Sequence, residues 1–178
     1  GAMSEKLNQL VKGGEEYFGT KVLVVDASAQ MFFGGAPLNM DKREEIIAVE
    51  GVTYVSPDVS ITLNQDAAAM FGPPAMIMSF DPGADDYETF EIKAAQGRLL
   101  TADDRGKVVL GADLIDQLET GLGKTVKLRD RDFEVVGILE KTLTAPDTSA
   151  IVALSDVQQI VHATLPETFQ QSIPPENK

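Results

Sequence analysis

Few side chains in this sequence have the type and spacing to do chemistry. The run Gly121-Leu122-Gly123-Lys124-Thr125 ends like a phosphate-binding loop, in which backbone amides and a lysine cradle phosphate oxygens. That motif needs a further glycine five residues before Gly123, where this chain has Leu118. The elements around it also run from helix to strand, so no helix N-terminus would face a phosphate; a glycine C-cap leading into a strand fits the residues better. His162 is the single imidazole. A catalytic triad or a histidine-based metal site needs such a group oriented by a carboxylate and joined to a nucleophile or further ligands. No G-x-S-x-G elbow occurs in the chain, and His162 falls at the predicted end of a helix, where partial positive charge complements the dipole.

Acidic residues are plentiful, so adjacent pairs such as Asp103-Asp104 and Asp85-Asp86 arise readily. No stretch has the alternating oxygen ligands, central glycine and distal glutamate of a calcium loop, and solvated faces account for the group. No catalytic, metal-binding or cofactor-binding residue is therefore expected. Two apolar clusters, Met31-Phe32-Phe33 and Met70-Phe71-Gly72-Pro73-Pro74, fall in predicted loops or element ends. Large apolar side chains on loops serve as partner-binding tips, or else fold back over a core. Phe32, Phe33, Met70 and Phe71 are the candidate partner-binding residues.

The elements that must position these groups follow from composition and periodicity. At 178 residues the chain has room for one domain, with 43% hydrophobic and 24% charged residues as in an ordinary folded protein. Fifteen basic against 28 acidic residues give a net charge of −13, which repels nucleic-acid phosphates and anionic lipid headgroups. The absence of cysteine excludes disulfides, thiolate nucleophiles and zinc ribbons. No apolar run approaches the length of a membrane span. Gly1-Ala2-Met3 reads as the scar of a removed expression tag, so natural flanks are expected to be missing.

Residues 4–17 place Leu7, Leu10, Val11 and Tyr17 near helical spacing and predict an amphipathic helix. KVLVVD, at 21–26, has the continuous β-branched pattern of a buried strand. Asp41 with Glu44 has the form of a capping box opening a helix through Ile46, Ile47 and Val49, ended by Gly51. Val59, Ile61 and Leu63 alternate with polar residues as in a strand with one wet face, and Pro57 marks a bend or sheet edge. A strand is predicted at 75–80, a turn at Asp81-Pro82-Gly83, and one helical turn in DDYETFEI. In Thr101-Ala102-Asp103-Asp104 the Thr and Asp side chains can cap a short turn. Further on come a strand at 107–110, a hinge at Gly111, a helix at 112–118, and a hairpin of 124–128 with 132–139 around Asp130-Arg131. A buried strand at 150–154 leads into a helix to about residue 163, opened by a capping box of Ser155 with Gln158. Irregular alternation with a hairpin predicts an α+β fold: a mixed sheet with packed helices, a larger α/β lobe and a small second lobe.

Taken in order, GRLLTADDRGKVVLGADLIDQL and GKTVKLRDRDFEVVGIL, at 97–139, resemble the MacB-like periplasmic core domain of ABC-transporter permeases, a class that includes FtsX and LolC. GVTYVSPDVS after an isoleucine-rich helix is similar to that family's helix followed by a G-V-x-x-V-x-P strand, and KVLVVD to the strand leaving the first membrane helix. The resemblance covers about residues 21–161. It implies a non-catalytic domain on the extracytoplasmic side of the cell membrane, between two membrane helices of a dimeric permease. Such a domain relays motion driven by a cytoplasmic ATPase subunit to an adaptor, a lipoprotein or a substrate, and it needs no cofactor. On this basis residues 4–20 form a stalk-like helix, 21–163 the core domain and 164–178 a polar, proline-rich tail. The family's chain returns to the membrane through a last strand and helix; residues 174–178 show no such return. Either the chain is cut short or its small lobe is unusual, and a frayed edge is expected at 151–154. Two other readings compete: a stand-alone extracytoplasmic ligand-binding module with a Met- and Phe-lined pocket, and a carboxylate-based hydrolase, which needs two partly buried acids facing a cleft.

Overall fold

A computed structural model describes residues 22–25, 38–64, 74–84, 92–143 and 145–164. The chain divides into two units, Gly1–Pro57 with Gly83–Phe90, and Asp58–Pro82 with Glu91–Lys178.

The second unit is built on strands whose residues show why they pair as they do. In chain order these are β1 (Ser60–Thr62), β2 (Met76–Phe80), β3 (Ala94–Gly97), β4 (Lys107–Leu110), β5 (Thr125–Leu128), β6 (Arg131–Leu139) and β7 (Ser149–Ala153). They form one mixed sheet in the order β1-β2-β7-β4-β6-β3, with β5 also on β6. The run Ser-Ala-Ile-Val-Ala of β7 has apolar residues on both faces, the signature of a strand covered on each side. It accordingly lies inside the sheet, parallel to β2 and antiparallel to β4. The frayed edge expected at 151–154 is thus corrected: both sides of this strand are hydrogen-bonded.

Strand β6 is long enough to serve three partners. Its middle pairs parallel with β4, and its opposite side takes β5 antiparallel along 131–134 and β3 antiparallel along 137–139. Strand β3 was not anticipated, because Ala-Ala-Gln-Gly has little intrinsic strand preference; the open edge of β6 supplies the ladder. The β5–β6 hairpin turns at Arg129-Asp130, one residue earlier than expected, with Leu128 opposite Arg131.

Helix α2 (Leu114–Gln117) is a single turn, shorter than the 112–118 predicted, and closes at Leu118 before Glu119 takes a φ of 48°. Helix α3 (Leu154–Thr164) starts directly after the last residue of β7, Ala153. This corrects the expected capping box: Ser155 lies inside the helix, where its Oγ is buried without a hydrogen-bond partner. One sheet face carries the main core, where Ile77, Val108, Leu110, Leu114, Phe133, Val152 and Val157 are all at most 1% exposed. Helix α3 packs there against β2 and β7. Each such side chain taken out of water stabilises the fold by about 1.5–3 kcal/mol. A smaller cluster of Leu100, Val109 and Leu139 forms separately, with Phe80, Ile92, Val136 and Ile151 against it.

In the first unit, helix α1 (Lys42–Ile47) is opened by Asn39, whose Oδ1 accepts the Asp41 amide at 3.1 Å. Asp41 itself is in helical conformation and makes no side-chain cap, so the expected Asp41–Glu44 capping box is absent. Arg43 lies 5.9 Å from the Tyr54 ring centroid and donates to the Val55 carbonyl. Residues 22–25 differ from expectation: they adopt no strand, and Val22 is 89% exposed. Strand preference is realised only where a second strand supplies hydrogen bonds, and none among the described residues pairs with them. Among the described residues no helix is long and apolar enough to cross a membrane.

Candidate functional site

The polar groups most tightly organised by the fold lie in two loops at opposite ends of β4. The first, between β3 and β4, leaves the sheet at Gly97. This residue has a φ of +72°, and a Cβ there would overlap the Val136 carbonyl oxygen and stand 2.6 Å from Leu122 Cδ1. Only glycine meets both demands. The next residue donates its amide to Val136 O at 3.0 Å and sends its guanidinium back across the loop. Arg98 Nη1 and Nη2 contact the two oxygens of Asp104 at 2.6 and 2.8 Å, the bidentate geometry that suits a planar fork. Thr101 donates its amide and its hydroxyl to Asp104 Oδ2, at 2.8 and 3.0 Å. The Arg98 guanidinium, followed by the Thr101 donors, holds the Asp104 carboxyl well below the usual carboxylate range despite its burial. The loop ends at Gly106, whose amide donates to Asp156 Oδ2 at 2.9 Å from the first turn of α3.

The second loop joins β6 to β7. Asp147, 3% exposed, accepts the Thr142 amide and hydroxyl on Oδ1, both at 2.8 Å, and the Leu143 amide on Oδ2 at 2.7 Å. These bonds hold Leu143 in a left-handed conformation, with a φ of 61°, that a leucine rarely adopts. Asp147 O accepts the Asp113 amide at 3.0 Å. Lys141 pairs with the Asp113 carboxylate at 2.7 Å, and that hydrogen bond raises the lysine pKa. Gly111 lies beneath this loop, where a Cβ would overlap the carbonyl oxygens of Pro146 and Asp147.

Chemically, the buried carboxylates among the described residues, Asp104, Asp147 and Asp156, accept hydrogen bonds from donors of the chain itself. Asp104 is shifted down, the direction of a structural ion pair and the reverse of what a general acid requires. Among the described residues no group of three His, Cys, Asp or Glu side chains is placed to hold a metal. His162 sits in the last turn of α3 as expected, its Nε2 buried and without a hydrogen-bond partner. The run 121–125 forms a turn into β5, where the Gly123 amide donates to Val135 O at 2.8 Å and the Lys124 amide to Gly121 O. Those amides serve the fold and not a phosphate. Phe32, Phe33, Met70 and Phe71 lie outside the described residues. The Thr101–Asp104 turn was legible in the sequence; the roles of Asp147 and Asp156 were not, since neither belongs to a local motif.

The second unit is thus a mixed-sheet α+β fold whose buried acids brace its loops. The family model of the MacB-like periplasmic core domain matches residues 2–173, and the chain belongs to that family. The family comprises extracytoplasmic domains of ABC-transporter permeases, which are not themselves enzymes. Among solved structures, the extracellular domain of the noncanonic ABC-type transporter YknZ from Gram-positive bacteria is similar at 18% identity and a TM-score of 0.49, over 68% of this chain. The chain spans 65% of that domain's length. The periplasmic region of MacB from Actinobacillus actinomycetemcomitans is similar at 19% identity and a TM-score of 0.47, over 76% of this chain and 70% of its own. A comparison with curated proteins gives no match.

Proposed function

We propose that this chain is a non-catalytic relay, passing ATP-driven motion of an ABC-transporter permease to partners or substrate outside the membrane. Family membership over residues 2–173 carries the reading. The braced loops support it, because a body that transmits displacement must move as a unit and not deform internally. In this reading residues 4–20 are a stalk continuing a membrane helix, 21–163 the core domain and 164–178 a tail. The partners are a second permease subunit, a cytoplasmic ATPase subunit, and an adaptor or lipoprotein that meets Phe32, Phe33, Met70 and Phe71.

The test uses the full-length gene product. Its reading frame is expected to hold apolar segments of about 20 residues on both sides of this domain. Because the domain has no cysteine, the exposed Lys124→Cys change introduces a single thiol within it. In intact cells carrying a permease otherwise free of cysteine, a membrane-impermeant maleimide is expected to label that thiol, at a rate that changes when the ATPase subunit is inactivated. Labelling only after permeabilisation overturns the extracytoplasmic placement. Labelling from outside at a rate indifferent to ATP hydrolysis overturns the relay.

A further inference from the structure

Among the described residues strand β1 ends the sheet, pairing with β2 on one side. In that ladder the Leu63 amide donates to Ala75 O and the Ser79 amide to Val59 O, so the main chain of Val59, Ile61 and Leu63 faces β2. Alternation then turns the amides and carbonyls of Ser60 and Thr62 toward the free edge. An edge of this kind templates pairing with another chain, and proteins defend it with charges, prolines or bulges. Strand β5, on the other side of the sheet, carries Lys127 within it and Lys124 just before it. From Val59 to Asn64 the sequence Val-Ser-Ile-Thr-Leu-Asn has neither charge nor proline.

The missing charge arrives from 67 residues away. Arg129, in the β5–β6 turn, donates Nε to Thr62 O at 2.9 Å, Nη2 to the same oxygen, and Nη2 to Thr62 Oγ1 at 3.1 Å. One of the two acceptors that an incoming strand would find at this edge, Thr62 O, is therefore filled by a guanidinium. Arg129 holds a left-handed backbone, with a φ of 57°, in the turn that presents it. Leu63 shares one core with Val126, Leu128 and Phe133, so the end of β1 and the β5–β6 hairpin meet across the same apolar interior.

We propose that Arg129 guards the outer edge of β1 against strand exchange between copies of this chain. The excluded occupant is β1 of a second copy, paired antiparallel. Copies with a net charge of −13 repel one another over most of their surface, and the uncharged run 59–64 is where that repulsion gives no local protection.

Arg129→Gly tests this, because glycine accepts the left-handed turn without strain while removing the guanidinium. Sedimentation velocity across a concentration series is expected to show R129G associating beyond the wild type, with a cooperative melt retained. Adding Ser60→Lys, which places a charge on the same edge, is expected to return the double variant to wild-type sedimentation. Wild-type sedimentation of R129G at every concentration overturns the proposal. So does association that S60K leaves unchanged, or association seen only with loss of the cooperative melt.

Discussion

Replacing Asp104 by Asn keeps the shape of the β3–β4 loop and removes its central charge. The wild-type carboxylate accepts four hydrogen bonds, two from Arg98 and two from Thr101. An amide in the same place turns an NH2 toward at least one of these donors and weakens the bonds that remain. A hydrogen bond to a charged group contributes about 1.5–3 kcal/mol net. The Asp104 side chain is 10% exposed but that of Arg98 is 49% exposed, so solvent screening reduces the share of the ion pair. Two bonds lost or weakened under that screening give a destabilisation of about 2–3 kcal/mol, or about 5–10 °C in Tm for a chain of this size. Thermal melts followed by circular dichroism near neutral pH measure the gap. The folded carboxyl titrates below its unfolded counterpart, so its stabilisation is complete above the unfolded pKa of about 3.9 and disappears as pH falls below it. The difference between wild type and D104N is therefore expected to stay constant above about pH 5 and to narrow on further acidification. A gap that does not change with pH, or a D104N melt that coincides with wild type at neutral pH, would refute the reasoning.

Other consequences follow from the same geometry. Gly111→Ala places a methyl group onto the Pro146 and Asp147 carbonyls; overpacking of this kind costs about 1–3 kcal/mol, read as a lower urea midpoint at unchanged slope. Phe133→Ala empties a site 1% exposed at the centre of the main core and is expected to lower unfolding free energy by about 3–5 kcal/mol in the same titration. If Phe71 meets an adaptor or lipoprotein, Phe71→Ser in the full transporter lowers pull-down of that partner while the melt of the domain stays at its wild-type temperature. A parallel loss of both signals assigns Phe71 to the core.

Much of the strand inventory was legible because strands write themselves in short-range patterns. Val59-Ile61-Leu63 alternates, and residues 108–110 and 150–154 are continuous apolar runs. The hairpin of β5 and β6 needed only its own sequence to be recognised. The Thr101–Asp104 turn was likewise local, its partners three positions apart. Other features were hidden for a specific reason. Strand β3 borrows its structure from β6, and the Asp41 and Ser155 capping motifs failed because those residues ended up in helical conformation or inside a helix. Residues 22–25 have strand composition and no described partner.

The sequence by itself determined the class of fold, the acidic and cysteine-free character, and the order of elements that marks the family. All of these depend on residue types and neighbours within a few positions. Only the tertiary structure decided which strand is central, which acids are buried and what they hold. Asp156 reaches Gly106 across 50 residues, and Arg129 reaches Thr62 across 67. Hydrogen bonds of that span exist only once the chain topology brings their ends together, and no local pattern records them in advance.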